Sequence, residues 1–231
     1  MFPIKDDQPR YSTPFVNGFL IALNILIFLF QWTLDRRSGE LFLRQFGMVP
    51  NHLALFLAGS PKYTLGQVIL PFFTSMFLHG GWLHVLGNMW FLFIFGDNVE
   101  DYLGHFKYLI FYLLAGLFAM TTQVAIYPHS NIPTVGASGA IAGVLGAYFI
   151  LYPRARVLTW WFVFVLYLPA WVVLGEWFVL NFFSGAATLS LAPGKDVGGV
   201  AVWAHVGGFL SGVLMIKLFP ERERRYPYAY R

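Results

Sequence analysis

The 231-residue sequence contains no cysteine and few charged residues. The absence of cysteine excludes disulfides, iron–sulfur clusters, thiolate zinc sites and a cysteine nucleophile. Charged residues make up 11% of the chain and hydrophobic residues 58%, whereas about 25% of a soluble domain is charged. This composition predicts a polytopic membrane protein. Because no linker or composition shift divides the chain, one domain is expected.

Two further absences argue against other classes of membrane protease. The zinc-binding pattern His-Glu-x-x-His does not occur, and His79 and His84 are five residues apart, so no metal is expected. No aspartate lies well inside an apolar segment, so an aspartyl protease is not indicated. The basic residues are scattered over loops, which is typical of membrane topology and not of a nucleic-acid partner. No cofactor is expected either.

Six apolar segments are long enough to be predicted as membrane helices. They cover about residues 15–34, 82–101, 108–127, 135–152, 157–183 and 200–219. The expected fold is therefore an all-α polytopic membrane protein with a six-helix bundle over residues 15–219. Residues 1–14 are predicted as a cytoplasmic N-terminal segment and residues 220–231 as a cytoplasmic tail.

The lysine and arginine residues predict the orientation of these helices. If the N-terminus is cytoplasmic, ten of the 15 basic residues lie inside and the remainder outside, which favours both termini inside. The absence of an organellar presequence favours a plasma or inner cell membrane. With this topology Ser138, His205, His84 and Asn88 all lie toward the outer face.

Two predicted helices carry faces of small residues. Gly139 and Gly143 share one face of the fourth. On the sixth, a small residue recurs every fourth position, at Ala204, Gly208 and Gly212. Small faces allow close helix packing in lipid. We therefore expect these two helices to pack together and to bring Ser138 near His205.

Ser138 combines a nucleophilic side chain with a helix N-terminus. From Ser138 to Tyr152 is 15 residues, or about 22 Å, which is shorter than the roughly 30 Å hydrocarbon layer. Unpaired N–H groups would therefore point into a recess suited to an oxyanion. A serine needs a base to take its proton, and His205 is the candidate. His84 and Asn88 lie four residues apart on one helix face and can donate hydrogen bonds there.

Three motifs on three predicted helices resemble the rhomboid family of intramembrane serine proteases. They are Gly136-Ala137-Ser138-Gly139, similar to the family's GxSG; Ala204-His205-Val206-Gly207-Gly208, similar to its AHxxG; and His79 followed by His84-x-x-x-Asn88. The resemblance implies that Ser138 is the nucleophile and His205 the general base. It further implies that the Ser138 N–H, Asn88 and His84 hold the oxyanion, and Gly136 is grouped with them.

The sequence departs from the family pattern beside the proposed base. Some members carry a tyrosine, four residues after the serine, that stacks on the catalytic histidine, whereas this chain has Ala142. His205 must therefore be oriented in some way other than by this tyrosine. The resemblance also implies that the fifth helix is similar to a lateral gate.

The expected function is an intramembrane endopeptidase that cleaves transmembrane-helix substrates near the outer membrane face with a Ser-His dyad. Its expected partners are transmembrane proteins and the lipid bilayer. The alternative is a catalytically silent rhomboid-like protein that binds membrane clients. A transporter or channel would depend on Glu176, the only carboxylate deep in a predicted span.

Overall fold

The computed structural model describes residues 1–191, 196 and 198–222, and within them the chain is mostly helical. Ten α-helices follow in chain order: α1 Phe15–Thr33, α2 Arg36–Phe46, α3 Pro50–Leu57, α4 Leu65–Ile69, α5 Pro71–Thr74, α6 Trp82–Leu103, α7 His105–Ile126, α8 Ser138–Leu151, α9 Ala170–Leu191 and α10 Val202–Met215. Most of the predicted C-terminal tail, from residue 223 onward, lies outside the described residues.

Three helices are long and apolar enough to cross a membrane: α1, α7 and α9. Residues Leu65–Phe77 and α6 meet at a bend of 76° and are together long and apolar enough to count as a fourth span. The helices at Ser138–Leu151 and Val202–Leu218 are apolar but shorter. The structure therefore has several apolar helices at the predicted places, whereas the number six rests on the sequence prediction.

The structure is mostly helical, as predicted, but the fold is not all-α, because it also contains a three-stranded antiparallel sheet. Its strands are β1 Phe2–Asp6, β2 Arg156–Trp161 and β3 Phe164–Pro169, in the order β1-β2-β3. The fifth predicted membrane helix therefore corresponds to α9, which begins at Ala170, and residues 157–169 form a hairpin before it. This stretch is rich in aromatic and β-branched residues, which favour strands. Hydropathy alone does not separate a buried strand from a helix.

The N-terminal segment connects the sheet to the helices. The Phe2 ring stacks on Trp90 of α6 with ring centroids 5.9 Å apart, and the Trp90 indole N–H donates to the Pro3 carbonyl at 2.7 Å. The Tyr148 hydroxyl of α8 donates to the Asp6 carboxylate. Glu176 of α9 lies 3.3 Å from the Met1 nitrogen. Strand β1 therefore contacts α6 and α8, and Met1, which directly precedes β1, contacts α9.

The expected packing of α8 against α10 is confirmed. A Cβ atom added at Gly212 would lie 2.0 Å from the Gly143 carbonyl oxygen, and one at Gly208 would lie 2.1 Å from the Gly139 carbonyl oxygen. One added at Gly146 would lie 2.2 Å from the Phe209 carbonyl oxygen. The two backbones are thus in direct contact, with no room for a side chain. Every residue of α8 from 139 to 148 is buried.

A buried carboxylate near the C-terminal end of α6 anchors the N-terminus of α1. Glu100 of α6 is fully buried and accepts hydrogen bonds from the backbone N–H groups of Val16 at 2.9 Å and Asn17 at 2.7 Å. These two N–H groups are in the first turn of α1, where backbone donors have no carbonyl partner within the helix. His105 also contacts this carboxylate through Nδ1. The charge and hydrogen bonds hold α1 against α6.

We predict that Gly212→Ala destabilises the protein, because its Cβ would overlap the backbone of α8. Overpacking of this kind costs about 1–3 kcal/mol. Gly18→Ala is the matched control, since nothing lies within 4 Å of a Cβ added there. Thermal unfolding in detergent micelles checks this. Equal midpoints for the two variants would contradict the backbone contact.

Asp6 predicts a pH dependence of stability. Burial raises its pKa from 3.8 to about 6, although the Tyr148 hydroxyl opposes the shift. The folded state therefore holds a proton that the unfolded state has lost between these values. The stabilisation is complete below pH 3.8 and disappears as the pH rises through about 6.

We accordingly expect Asp6→Asn, which keeps an acceptor for Tyr148, to unfold at a higher temperature than wild type above pH 6. The gain is roughly 2–4 °C for each kcal/mol in a chain of this size, and it should vanish below pH 4. Asp7→Asn is the control with the opposite sign, because the Arg156 side chain lowers the Asp7 pKa. A wild-type-like pH profile for Asp6→Asn would contradict the shift.

Candidate active site

A cavity of about 810 Å³ lies among α6, α8, α9 and α10, near the N-terminal ends of α6, α8 and α10. Its lining includes all four of the polar side chains singled out in the sequence: His84, Asn88, Ser138 and His205. Leu83 and Phe91 of α6 and Trp177 of α9 supply apolar walls. The structure therefore brings together residues that are up to 121 positions apart in the chain.

Ser138 is the first residue of α8 and is half-buried. No side chain caps this helix N-terminus, so its first N–H groups face the cavity end without a side-chain partner. The backbone reaches Ser138 through Gly136, whose N–H donates to the Ser75 carbonyl at 2.9 Å. The serine hydroxyl is thus presented at the positive end of a buried helix.

Gly136 is required by both its conformation and its surroundings. Its φ of 127° is one that residues with a side chain rarely adopt. A Cβ atom there would lie 2.7 Å from His84 Nε2 and 3.5 Å from Ser138 Oγ. The absent side chain of Gly136 therefore lets the His84 ring approach the turn that carries Ser138.

Two donors converge on the same region. Asn88 is buried, and its Nδ2 has no hydrogen-bond partner within the described part of the chain. An unpaired buried donor costs about 1–3 kcal/mol, so it is suited to a partner that arrives with a substrate. The Gly80 N–H points to His84 Nδ1 at 3.4 Å, a long contact that leaves Nε2 to carry the ring proton.

His205 is buried at 8% exposure in the first turns of α10. Its Nδ1 lies 2.7 Å from Oδ1 of Asn181, and its ring packs on Trp177 with centroids 5.4 Å apart. Both partners are on α9, four residues apart. Asn181 belongs to none of the sequence motifs, and its only signal in the sequence is a polar side chain in an apolar span.

Ser138 and His205 are neighbours through the packing of their helices. A Cβ added at Gly139, next to Ser138, would lie 3.7 Å from the Cβ of Ala204, next to His205. Within residues 1–191 and 198–222 no hydrogen bond joins the Ser138 hydroxyl to His205. In unliganded sites this bond is often long and tightens only around a substrate. In the same described ranges, no group of three or more His, Cys, Asp or Glu side chains could hold a metal ion.

The arrangement contains the parts that acyl transfer requires. These are a hydroxyl at a helix N-terminus, a neighbouring imidazole with one nitrogen already occupied, and amide and imidazole donors beside the hydroxyl. Together with several apolar helices, they define a membrane protein with a cavity lined by a serine and a histidine.

The Rhomboid domain matches residues 66–222, which is more than half of the chain. The chain therefore belongs to the rhomboid family. The match covers helices α6 to α10 and so includes every residue of the cavity named above.

Individual relatives agree with this assignment. RHOMBOID-like protein 4 of Arabidopsis thaliana is 32% identical over 220 residues, which cover 87% of this chain and 52% of the relative. Rhomboid-like protein 11, chloroplastic, of the same plant is 29% identical over 152 residues, which cover 64% of this chain and 51% of the relative. The mouse presenilin-associated rhomboid-like protein, mitochondrial, is 28% identical over 156 residues, which cover 63% of this chain and 37% of the relative. The chain thus matches about half of the length of these relatives, or less.

We predict that Gly136→Ala lowers the reactivity of Ser138 toward a fluorophosphonate by at least about tenfold. Displacing His84 and straining the turn would misplace the hydroxyl, and misplacement near 1 Å can cost about 10²-fold. Gly66→Ala is the control, because a Cβ there meets nothing within 4 Å. The labelling rate of folded, purified protein measures the effect. Unchanged labelling of Gly136→Ala would show that this turn does not position Ser138.

Proposed function

We propose that this protein is an intramembrane serine endopeptidase that cleaves transmembrane proteins near the outer face of the membrane. The observation that carries the proposal is the meeting of Ser138, His205, Asn88 and His84 in one cavity among the ends of three helices. Family membership supports the same chemistry.

The proposed topology has six membrane spans. Besides α1, α7 and α9, helices α6, α8 and α10 would cross, with α8 and α10 too short to reach both surfaces. Both termini would be cytoplasmic, because ten of the 15 basic residues then lie inside. The cavity would open toward the outer face. We propose the plasma or inner cell membrane as its location, although two of the relatives named above are chloroplastic or mitochondrial.

The proposed reaction begins when the Ser138 hydroxyl attacks the carbonyl carbon of the scissile bond. His205 Nε2 takes the hydroxyl proton as the new C–O bond forms. The negative charge that develops on the carbonyl oxygen would be held by the Ser138 N–H, Asn88 Nδ2 and His84 Nε2, with Gly136 keeping His84 close. Such preorganised donors usually supply the largest part of the stabilisation.

Three proton transfers complete the cycle. His205 returns its proton to the leaving amine as the C–N bond breaks, which leaves an ester on Ser138. His205 then takes a proton from water as the water oxygen attacks the ester. It gives this proton to Ser138 Oγ as the ester C–O bond breaks, which releases the new carboxyl end and restores the free serine and the neutral imidazole. The substrate would enter between α6 and α9, where Leu83, Phe91 and Trp177 form an apolar wall. It must be locally unwound, since a helical peptide bond is shielded.

The second candidate is a client-binding protein without catalysis. One observation favours it: across the described residues, Ser138 and His205 share the cavity without a mutual hydrogen bond. A client helix could then occupy the same cavity and leave uncleaved. The two candidates differ in whether Ser138 becomes covalently modified.

The test is cleavage of a labelled single-span substrate, with a small-residue-rich outer segment, by purified protein in liposomes. We expect cleavage by wild type, no detectable cleavage by Ser138→Ala or His205→Ala, and a loss of about 10²–10³ in rate for Asn88→Ala. A fluorophosphonate should label wild type at Ser138.

Ser190→Ala is the matched serine control, because Ser190 is on α9 and donates only to the Ala186 carbonyl of its own helix. It should cleave like wild type. No cleavage by wild type across several substrates, together with no labelling of Ser138, would establish the client-binding candidate instead.

A further inference from the structure

His205 is held by two side chains of α9. Its Nδ1 lies 2.7 Å from Asn181 Oδ1, and the Trp177 ring packs on the imidazole at a tilt of 34°. The Asn181 amide is itself oriented, because its Nδ2 donates to the Trp177 carbonyl at 2.8 Å. This internal bond turns the oxygen end of the amide toward His205.

The direction of this hydrogen bond decides the protonation state of the ring. An amide oxygen can only accept, so the proton between the two residues belongs to His205 Nδ1. In a neutral imidazole the other nitrogen then carries the lone pair. Nε2 is therefore the nitrogen that is free to take a proton.

No other described residue is available for this work. A carboxylate partner would favour the same tautomer, but in the described ranges only Asn181 hydrogen-bonds the His205 ring. Helix α8 contributes no aromatic ring either, because Ala142 stands where some family members have a stacking tyrosine. Both the stacking group and the hydrogen-bond acceptor thus come from α9.

We propose that Asn181 is a positioning residue for the general base: its Oδ1 holds His205 in the Nδ1–H form, so that Nε2 is presented to Ser138. The proposal rests on the serine-protease function proposed above. Asn181 contacts His205 at Nδ1 and is not among the residues that line the cavity with Ser138, so it would act through His205. Its removal should therefore slow the chemical step and leave substrate binding nearly unchanged.

The test compares Asn181→Leu, which has a similar size but no acceptor, with Asn181→Asp, which keeps an acceptor oxygen in the same place. Cleavage kinetics in liposomes separate kcat from KM. We expect Asn181→Leu to lower kcat by roughly 10- to 100-fold, as for a base misplaced by about 1 Å, with KM within about threefold of wild type. Asn181→Asp should recover kcat to within about tenfold of wild type.

Thr188→Val is the control on the same helix, because the Thr188 hydroxyl donates only to the Ser184 carbonyl within α9. It should keep wild-type kcat and KM. Thermal unfolding of all three variants shows whether each is folded at the assay temperature.

The outcomes separate this proposal from the proposed function. Wild-type kcat in Asn181→Leu would overturn the positioning role while leaving the protease intact. Equal losses in Asn181→Leu and Asn181→Asp, with unchanged unfolding temperatures, would overturn it as well. Absence of cleavage and of Ser138 labelling in wild type would overturn the protease function itself. Loss confined to Asn181→Leu and rescue by Asn181→Asp would support the positioning role.

Discussion

The direct contact between the backbones of α8 and α10 is the constraint on which the rest of the structure depends. Glycine carbonyls on one helix sit where side chains of the other would be, as at Gly143 and Gly212. Because apolar side chains gain little from leaving lipid, close van der Waals contact must hold these helices together. The register of the two helices then fixes the cavity, because Ser138 directly precedes the contact residue Gly139 and His205 directly follows the contact residue Ala204.

In the proposed topology, the lengths of the same two helices would set the depth of the site. Helix α8 has 14 residues, or about 21 Å, and in that topology it would end short of one membrane surface. The space beyond its end would admit water and polar groups where a longer helix would fill it with apolar side chains. The sheet fills other space, because β1 packs on α6 and the hairpin leads directly into α9.

The support of His205 links the reactive centre to the least buried long helix. Only Ala170, Val173, Leu174 and Gly185 are buried among the 22 residues of α9. Asn181 and Trp177 are thus presented to His205 by a helix with few buried anchors. In the proposed function, movement of α9 away from α10 would release His205 Nδ1. The position of α9 and the tautomer of His205 would then be coupled through the hydrogen bond between Asn181 and His205.

The sequence by itself determined the membrane class, the small faces of α8 and α10, and the four polar residues of the cavity. These depend on composition and on spacing within single helices, which local geometry fixes. The tertiary structure alone decided that residues 157–169 form a hairpin whose first strand pairs with β1, because apolar stretches suit strands and helices equally until a partner strand is present. It also decided the contact of Asn181 with His205, because the distance between two helices depends on how every neighbouring helix packs.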